Sequence, residues 1–234
     1  MKTIQTIFRE LRTFLLLWVT QSFSALGSAM TSFALVVWSY QQQGSALTTS
    51  LLSICSYAPY VLFSIFAGAL SDRWNKKAIM LASDSFAAAC TLTVLLLFRA
   101  GRLEIWDLYI VNALNGLMNT MQQPASDVAI SLLSPQKHYQ KVSGLRSFSN
   151  SLVTILAPVL ATALLAAAGL QAVIFFDLGT FAAAFLTLAG WIQIPKAREG
   201  TSPAEPPLRA ARQGLRYLKE NRGILHLILF LAII

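Results

Sequence analysis

Charged side chains are scarce in this sequence. Only 12% of its 234 residues are Asp, Glu, Lys or Arg, whereas 56% are hydrophobic and the mean hydropathy is +0.60. Because soluble domains carry about 25% charged residues, the composition argues against a water-soluble domain. The two cysteines, Cys55 and Cys90, lie within apolar runs, where a thiol behaves as a small buried hydrophobic group. Neither a disulfide nor a metal site is indicated, and we expect no cofactor.

Sequence motifs of catalysis are also lacking. We find no Walker-type glycine loop, no metal-ligand cluster and no nucleophile with a spaced histidine. The two histidines, His138 and His226, stand alone in the sequence. We therefore do not expect an enzyme.

Long apolar runs are abundant, and each can cross about 30 Å of hydrocarbon as a helix of about 20 residues. Only helices satisfy all backbone polar groups within such runs, so the predicted fold is an all-α, polytopic membrane helical bundle. The first run follows a basic segment, as in a signal peptide, but is too long for a cleaved one. Six transmembrane helices are predicted at 14–38, 48–70, 78–98, 105–133, 143–168 and 171–194. The predicted domains are this bundle (1–194), a cytoplasmic linker (195–222) and the start of a seventh transmembrane helix (223–234).

The placement of Lys and Arg predicts the orientation. With the N-terminus in the cytoplasm, sixteen of the 18 Lys and Arg residues fall on the cytoplasmic side, and only Arg99 and Arg102 lie outside. This is a strong positive-inside pattern. The net charge of +8 thus marks topology, and no nucleic-acid partner is needed to explain it.

The linker contains a segment with alternating apolar and basic faces, LRAARQGLRYLKENR (208–222). Its leucines recur at helical spacing opposite the cations, which suits a helix lying on the cytoplasmic leaflet. A solvated basic linker is the alternative.

The turn between the second and third predicted spans reads GALSDRWNKK (68–77). Gly68 permits close helix approach, Asn75 suits a left-handed turn position, and Lys76 and Lys77 can anchor in lipid headgroups. The segment resembles the cytoplasmic loop signature of the major facilitator superfamily, with Asn75 in place of the usual loop glycine. Sited between the second and third spans on the positive side, the match is strong.

Further segments are similar to the drug-exporter branch of this superfamily, which includes macrolide efflux proteins: MQQPASDVAISLLSP, KVSGLRSFSNSLVTILAP and GLRYLKENRGILHLILF. The resemblance implies a twelve-span protein in two halves, of which this chain supplies the first half and the start of the second. It also implies that Asp127 joins Asp72 and Arg73 in a charge cluster that controls which side of the transporter is open. We assign gating to the six residues Gly68, Asp72, Arg73, Lys76, Lys77 and Asp127. Simple topology anchoring is the alternative for the charge cluster.

Polar side chains follow one face of the fourth predicted span. Asn112, Asn115, Asn119 and Gln122 recur at intervals of three and four, as do Gln21, Ser24, Ser28 and Ser32 in the first span. In the resembling fold both spans line the central cavity, so the predicted substrate-binding residues are Gln21, Asn112, Asn115, Asn119 and Gln122. Interhelical hydrogen bonding is the alternative for both stripes.

Two further acids lie within predicted spans, where ionisable groups are costly. We expect Asp84, near the cytoplasmic end of the third span, to bond to the basic turn or to a neighbouring helix. Asp177 has no cation nearby in sequence and is the candidate for proton coupling, although protonation or an interhelical hydrogen bond would also explain it.

Two functions follow as hypotheses. The first is a secondary transporter in a bacterial cytoplasmic membrane that exports drugs or other amphipathic small molecules by alternating access, with protons as coupling ions. It requires a second half-bundle, from another chain, from self-association or from a longer reading frame. The second is a non-transporting remnant or scaffold that binds partner helices.

Overall fold

The computed structural model describes residues 11–195 and residues 221, 223, 224 and 230; within residues 65–73 it describes the backbone alone. Every regular element in this part of the chain is helical, which confirms the all-α class. Five long helices follow one another, and a short 3-10 turn precedes the last: α1 (Arg12–Gln43), α2 (Ala46–Arg73), α3 (Lys76–Arg99), α4 (Ile105–Leu133), the turn (Gln136–His138) and α5 (Tyr139–Gly190).

Among the described residues, four helical segments are long and apolar enough to cross a membrane: Arg12–Gln43, Ala46–Ser64, Lys76–Arg99 and Gln136–Gly190. Helix α4 is not among them although it has 29 residues, because its row of side-chain amides lowers its hydropathy. The last segment has 55 residues, more than twice the length of about 20 that a bilayer requires. The count of six spans stays a prediction. The linker and the seventh helix lie almost wholly outside the described residues.

Helix α5 is interrupted at Gly169. This residue has φ 77° and ψ 178°, a backbone conformation that is essentially restricted to glycine. The interruption divides α5 into residues 139–168 and 170–190, at the gap between the fifth and sixth predicted spans. The second part ends at Gly190, four residues earlier than predicted.

The helix ends carry local capping interactions. At the α2–α3 turn, the Asn75 side-chain oxygen accepts hydrogen bonds from the amides of Lys77 (3.0 Å) and Ala78 (3.3 Å). Asn75 has φ −63°, so the expected left-handed conformation was wrong. The reason is that an N-cap residue adopts extended backbone angles while its side chain satisfies the free amides of the first turn. The left-handed position is found instead at Gly44, which ends α1 and donates to the Tyr40 carbonyl (2.7 Å).

Apolar clusters hold the two ends of the bundle. At one end, the start of α1 packs against the start of α3, the end of α4 and both ends of α5, through residues such as Leu17, Met80 and Leu188. At the other end, Leu35, Leu108 and the residues around the Gly169 break form a larger cluster. Six described cations lie at the first end, which we call the basic end: Arg12, Lys76, Lys77, Lys137, Lys141 and Arg146.

Candidate functional site

A cavity of about 450 Å³ lies between the helices. Its walls come from α1, α3, α4 and both parts of α5, and Ser56 of α2 also borders it. Apolar residues such as Leu17, Val94 and Phe181 alternate with serine, threonine and amide side chains. Binding sites for small molecules typically enclose about 300–1,000 Å³ and combine apolar walls with a few polar groups, so this cavity has the size and character of a ligand site.

The amide stripe of α4 faces this cavity. All four of its residues, Asn112, Asn115, Asn119 and Gln122, are among the lining residues, as the helical spacing predicted. Only Gln122 makes an interhelical hydrogen bond among the described residues, to the Asp84 carboxylate. The Asn112 amide donates to the Leu108 carbonyl of its own helix (2.8 Å), and the Asn115 Oδ1 atom is buried without a partner. Interhelical bonding therefore accounts for one residue of the stripe and leaves three available to a solute.

The polar stripe of α1 also lines the cavity. Gln21, Ser24, Ser28 and Ser32 all border it. Two of these side chains do bridge helices: Gln21 donates to Asp84 (3.2 Å) and Ser28 donates to Asp177 (3.0 Å). The α1 stripe therefore lines the cavity and also forms interhelical hydrogen bonds, so both interpretations hold for it. The substrate-binding role of the predicted residues on both stripes remains a prediction.

Asp84 lies on the cavity wall between these two stripes. Its carboxylate accepts one amide hydrogen bond from α1, through Gln21, and one from α4, through Gln122. The side chain is 7% exposed. The expectation that Asp84 bonds to a neighbouring helix is confirmed, whereas its place on a cavity was not foreseen. From the sequence, Asp84 can be placed at the same depth in the membrane as Gln21 and Gln122 of other spans. Depth alone does not show which helix faces point at one another, so the contact could not be predicted.

Asp177 is enclosed at the crossing of α1 and the second part of α5. It is 4% exposed and accepts a hydrogen bond from Ser28, and it forms no ion pair with a described residue. The helices are close here: a Cβ atom added to Gly27 would lie 3.0 Å from the Asp177 Cα atom. The interhelical hydrogen bond considered from the sequence is therefore present, and the coupling role remains a prediction.

At the basic end, Asp127 of α4 pairs with Arg146 of α5. Both side chains are substantially exposed, and Arg146 also borders the cavity. The proposed partners of Asp127 in the gating cluster, Asp72 and Arg73, have side chains outside the described residues. The cluster thus stays a prediction. Their backbone belongs to the last turn of α2, so the expectation that 68–77 is a turn was wrong for residues 68–73: the helix continues to Arg73. Arg146 was counted only as a topology marker, because its pairing with Asp127 depends on how α4 and α5 dock.

The two lysines of the turn contact the protein itself. The Lys77 ammonium donates to the carbonyls of Ala189 (2.9 Å) and Ile192 (2.7 Å), at the C-terminal end of α5. Cations are favourable at this position because the last carbonyls of a helix carry partial negative charge. Lys76 is 7% exposed and donates to the Trp74 carbonyl (3.1 Å). The start of α3 is thereby joined to the C-terminal end of α5 at the basic end, a contact that the headgroup-anchor expectation did not include.

The chain is similar to known proteins of one family. The family model of the Major Facilitator Superfamily matches residues 17–234. Macrolide efflux protein A of Streptococcus pyogenes is 27% identical over 92% of this chain and 53% of its own length, and the protein of the same name from Enterococcus faecalis is 28% identical over 80% and 57%. An uncharacterized MFS-type transporter of Bacillus subtilis, YfiS, is 25% identical over 91% and 51%. The chain spans about half the length of the curated relatives it matches.

Proposed function

Because the chain belongs to the major facilitator superfamily, we propose that it is part of a secondary active transporter that exports amphipathic small molecules by alternating access. Family membership and the names of the relatives favour transport over a scaffold or remnant. An integral membrane protein is also what the apolar helices support. The proposed membrane is a bacterial cytoplasmic membrane, with the N-terminus and the basic end of the bundle inside the cell.

One observation carries the proposal: the four amides of α4 border a cavity, and three of them make no interhelical hydrogen bond with a described residue. A polar side chain in a lipid-embedded helix is costly unless it has a partner or contacts water. Among the described residues, the side-chain oxygen of Asn115 has no hydrogen-bond partner and Asn119 forms no hydrogen bond. A cavity that admits water and solute supplies what these groups lack. Substrate binding is therefore proposed for Asn112, Asn115, Asn119, Gln122 and Gln21.

The solute class is proposed from the relatives and from the walls. Two of the relatives carry the name Macrolide efflux protein A, which makes macrolides the first solutes to test. Apolar side chains such as Val94 and Phe181 contact a solute without requiring a particular hydrogen-bond geometry. Such walls suit loose selectivity for amphipathic molecules.

Gating is proposed for the segment 68–77, which comprises the end of α2, the turn at Trp74 and Asn75 and the start of α3, together with Asp127. In this scheme Asp72, Arg73 and Asp127 form a charge cluster at the basic end, and Gly68, Lys76 and Lys77 hold the turn in place. The link from Lys77 to the end of α5 supports such a role, because it couples the turn to the segment that leads into the linker. Alternating access also requires a second bundle against which this one can rock, from another chain or by self-association.

Proton coupling is proposed for Asp177. Its enclosure without a cation among the described residues makes the carboxyl a site where gain or loss of a proton would change the local charge. The proton would be exchanged when the bundle opens.

Accumulation of a labelled macrolide tests the function. Bacteria expressing the full-length reading frame should accumulate less macrolide than cells with an empty vector, and a protonophore should restore accumulation. Unchanged accumulation for every member of a drug panel would contradict the proposal.

The cavity assignment is tested by Asn115→Leu, with Leu114→Ala as the matched control. We expect Asn115→Leu to reduce efflux of at least one solute about tenfold, the size of one lost hydrogen bond of ~1–1.5 kcal/mol. Leu114 is adjacent, 38% exposed and absent from the cavity wall, so its replacement should leave efflux unchanged. If both variants behave like the wild type, the amide stripe does not bind solute.

A further inference from the structure

A second, smaller groove lies between α2 and α4. It has a volume of about 270 Å³ and is bordered by Ser56, Tyr57, Tyr60, Gly116, Asn119 and Gln123. Three of these residues, Ser56, Asn119 and Gln123, border the central cavity as well, so the groove adjoins that cavity. Complete binding sites for small molecules typically enclose about 300–1,000 Å³. The groove is therefore sized for one substituent of a solute whose body lies in the cavity.

The polar side chains of this groove are available to an occupant. Tyr57 and Tyr60 are three residues apart on α2, and Asn119 and Gln123 are four residues apart on α4, so each pair shares a helix face. None of the four side chains forms a hydrogen bond with a described residue, and all four are exposed. They lie near the middle of their helices, where polar groups that face lipid are costly. We therefore expect the groove to face a partner that forms hydrogen bonds.

The chemistry of the groove favours an uncharged occupant. Among its residues that the structure describes, there is no carboxylate, ammonium or guanidinium group, so a charged substituent would lack a counter-charge here. The amides of Asn119 and Gln123 can each donate and accept hydrogen bonds, as hydroxyl groups also do. A tyrosine ring adds a flat apolar face with a polar tip. A ring with C–H groups on its faces and several hydroxyl groups around its edge matches all of these features, and this is the chemistry of a sugar.

We propose that the groove between α2 and α4 is a subsite for a sugar substituent on the transported solute. This inference rests on the proposed function for transport itself, and it adds a substrate class, neutral glycosides. The rings of Tyr57 and Tyr60 contact the faces of the sugar, and the amides of Asn119 and Gln123 bond its hydroxyl groups. Gln123 and the two tyrosines thereby become specificity residues beyond those predicted from the sequence.

Two fluorescent probes test the sugar preference. One is a dansyl amide with a hexyl spacer that ends in a β-glucoside, and the other ends in the bare hydroxyl group; both are uncharged at neutral pH. Each is titrated against the full-length protein in lipid nanodiscs, and binding to empty nanodiscs is subtracted. We expect the glucoside to bind about tenfold or more tightly, the effect of one or more additional hydrogen bonds. Equal binding of the two probes, or no binding of the glucoside, overturns the inference without any variant.

Two variants then assign the preference to the groove. Gln123→Leu and Tyr60→Leu should each weaken binding of the glucoside severalfold to tenfold and leave binding of the bare probe unchanged. Gln41→Leu and Tyr40→Leu are the matched controls, since both residues are exposed near the end of α1 and border neither the groove nor the cavity. A preference that survives both groove variants overturns the assignment. Equal weakening of both probes indicates a structural role and also overturns it.

A second half-bundle that covers the groove would give a different result. Gln123→Leu and Tyr60→Leu would then lower the stability of the full-length protein, measured by dodecyl sulfate titration, without changing the ratio of the two probe affinities. That outcome would assign the groove to packing between the halves and overturn the subsite.

The titrations separate this inference from the proposed function. Macrolide export by the wild type with equal binding of the two probes leaves the transporter standing and removes the subsite. A preference for the glucoside without export of any drug does the reverse.

Discussion

Close contact between α2 and α4 makes Gly116 the most informative site for a stability measurement. A Cβ atom at this position would meet the backbone of Ser56, 3.0 Å from its carbonyl carbon and closer still to its carbonyl oxygen. The obstacle is backbone, so no side-chain rotation relieves it. The helices would have to separate by about 0.5 Å or more to reach the optimal carbon–carbon distance of ~3.5 Å.

Gly116→Ala should therefore destabilise the bundle. Overpacking of a well-packed interior costs about 1–3 kcal/mol, and the backbone obstacle puts this site in the upper part of that range. Alanine recovers about 1 kcal/mol through its higher helix propensity. The expected net loss is about 1–2 kcal/mol in the free energy of unfolding, measured by titrating the purified protein in mixed micelles with dodecyl sulfate and following circular dichroism.

Gly179→Ala is the matched control. Gly179 lies within α5, and no heavy atom lies within 4 Å of an added Cβ atom. The substitution should stabilise the protein by about 0.5–1 kcal/mol through helix propensity alone. The two variants are thus expected to differ in sign. A Gly116→Ala protein as stable as Gly179→Ala would refute the close approach of α2 and α4 and with it this part of the cavity wall.

Three further predictions concern the break in α5 and the basic end. Gly169→Ala should cost about 1–3 kcal/mol in the same titration because its backbone conformation is nearly restricted to glycine, whereas Gly144→Ala, in open helical surroundings, should not destabilise. Lys77→Met should cost about 0.3–1 kcal/mol by removing a cation from the C-terminal end of α5, and Lys141→Met, an exposed cation with no such contact, should cost less; equal losses would contradict the contact. Asp127→Asn breaks an exposed ion pair, so stability should fall by less than about 1 kcal/mol while macrolide efflux falls severalfold; unchanged efflux would remove Asp127 from the gate.

Sequence periodicity predicted the all-helical class because the lipid-embedded helix is a local structure, whereas the count of six spans stays a prediction. Apolar length and the absence of alternative backbone partners are properties of a short stretch of chain. The same periodicity placed the α4 amides on one face, and that face does border the cavity. Helix ends were less predictable. Asn75 caps α3 with its side chain and does not adopt the left-handed turn conformation. Asparagine is common in both roles, so the sequence alone does not distinguish them.

What the sequence by itself determined is therefore the helical class, the approximate bounds of the helices and the residues that share a helical face. Which faces meet was decided by tertiary structure alone. Asp84 lies between two glutamines from other helices, Arg146 reaches Asp127, and Lys77 binds carbonyls more than a hundred residues away. These pairings depend on the rotation and depth at which the helices pack, and helix packing is set by the summed contacts of many side chains, which no single stretch of sequence specifies.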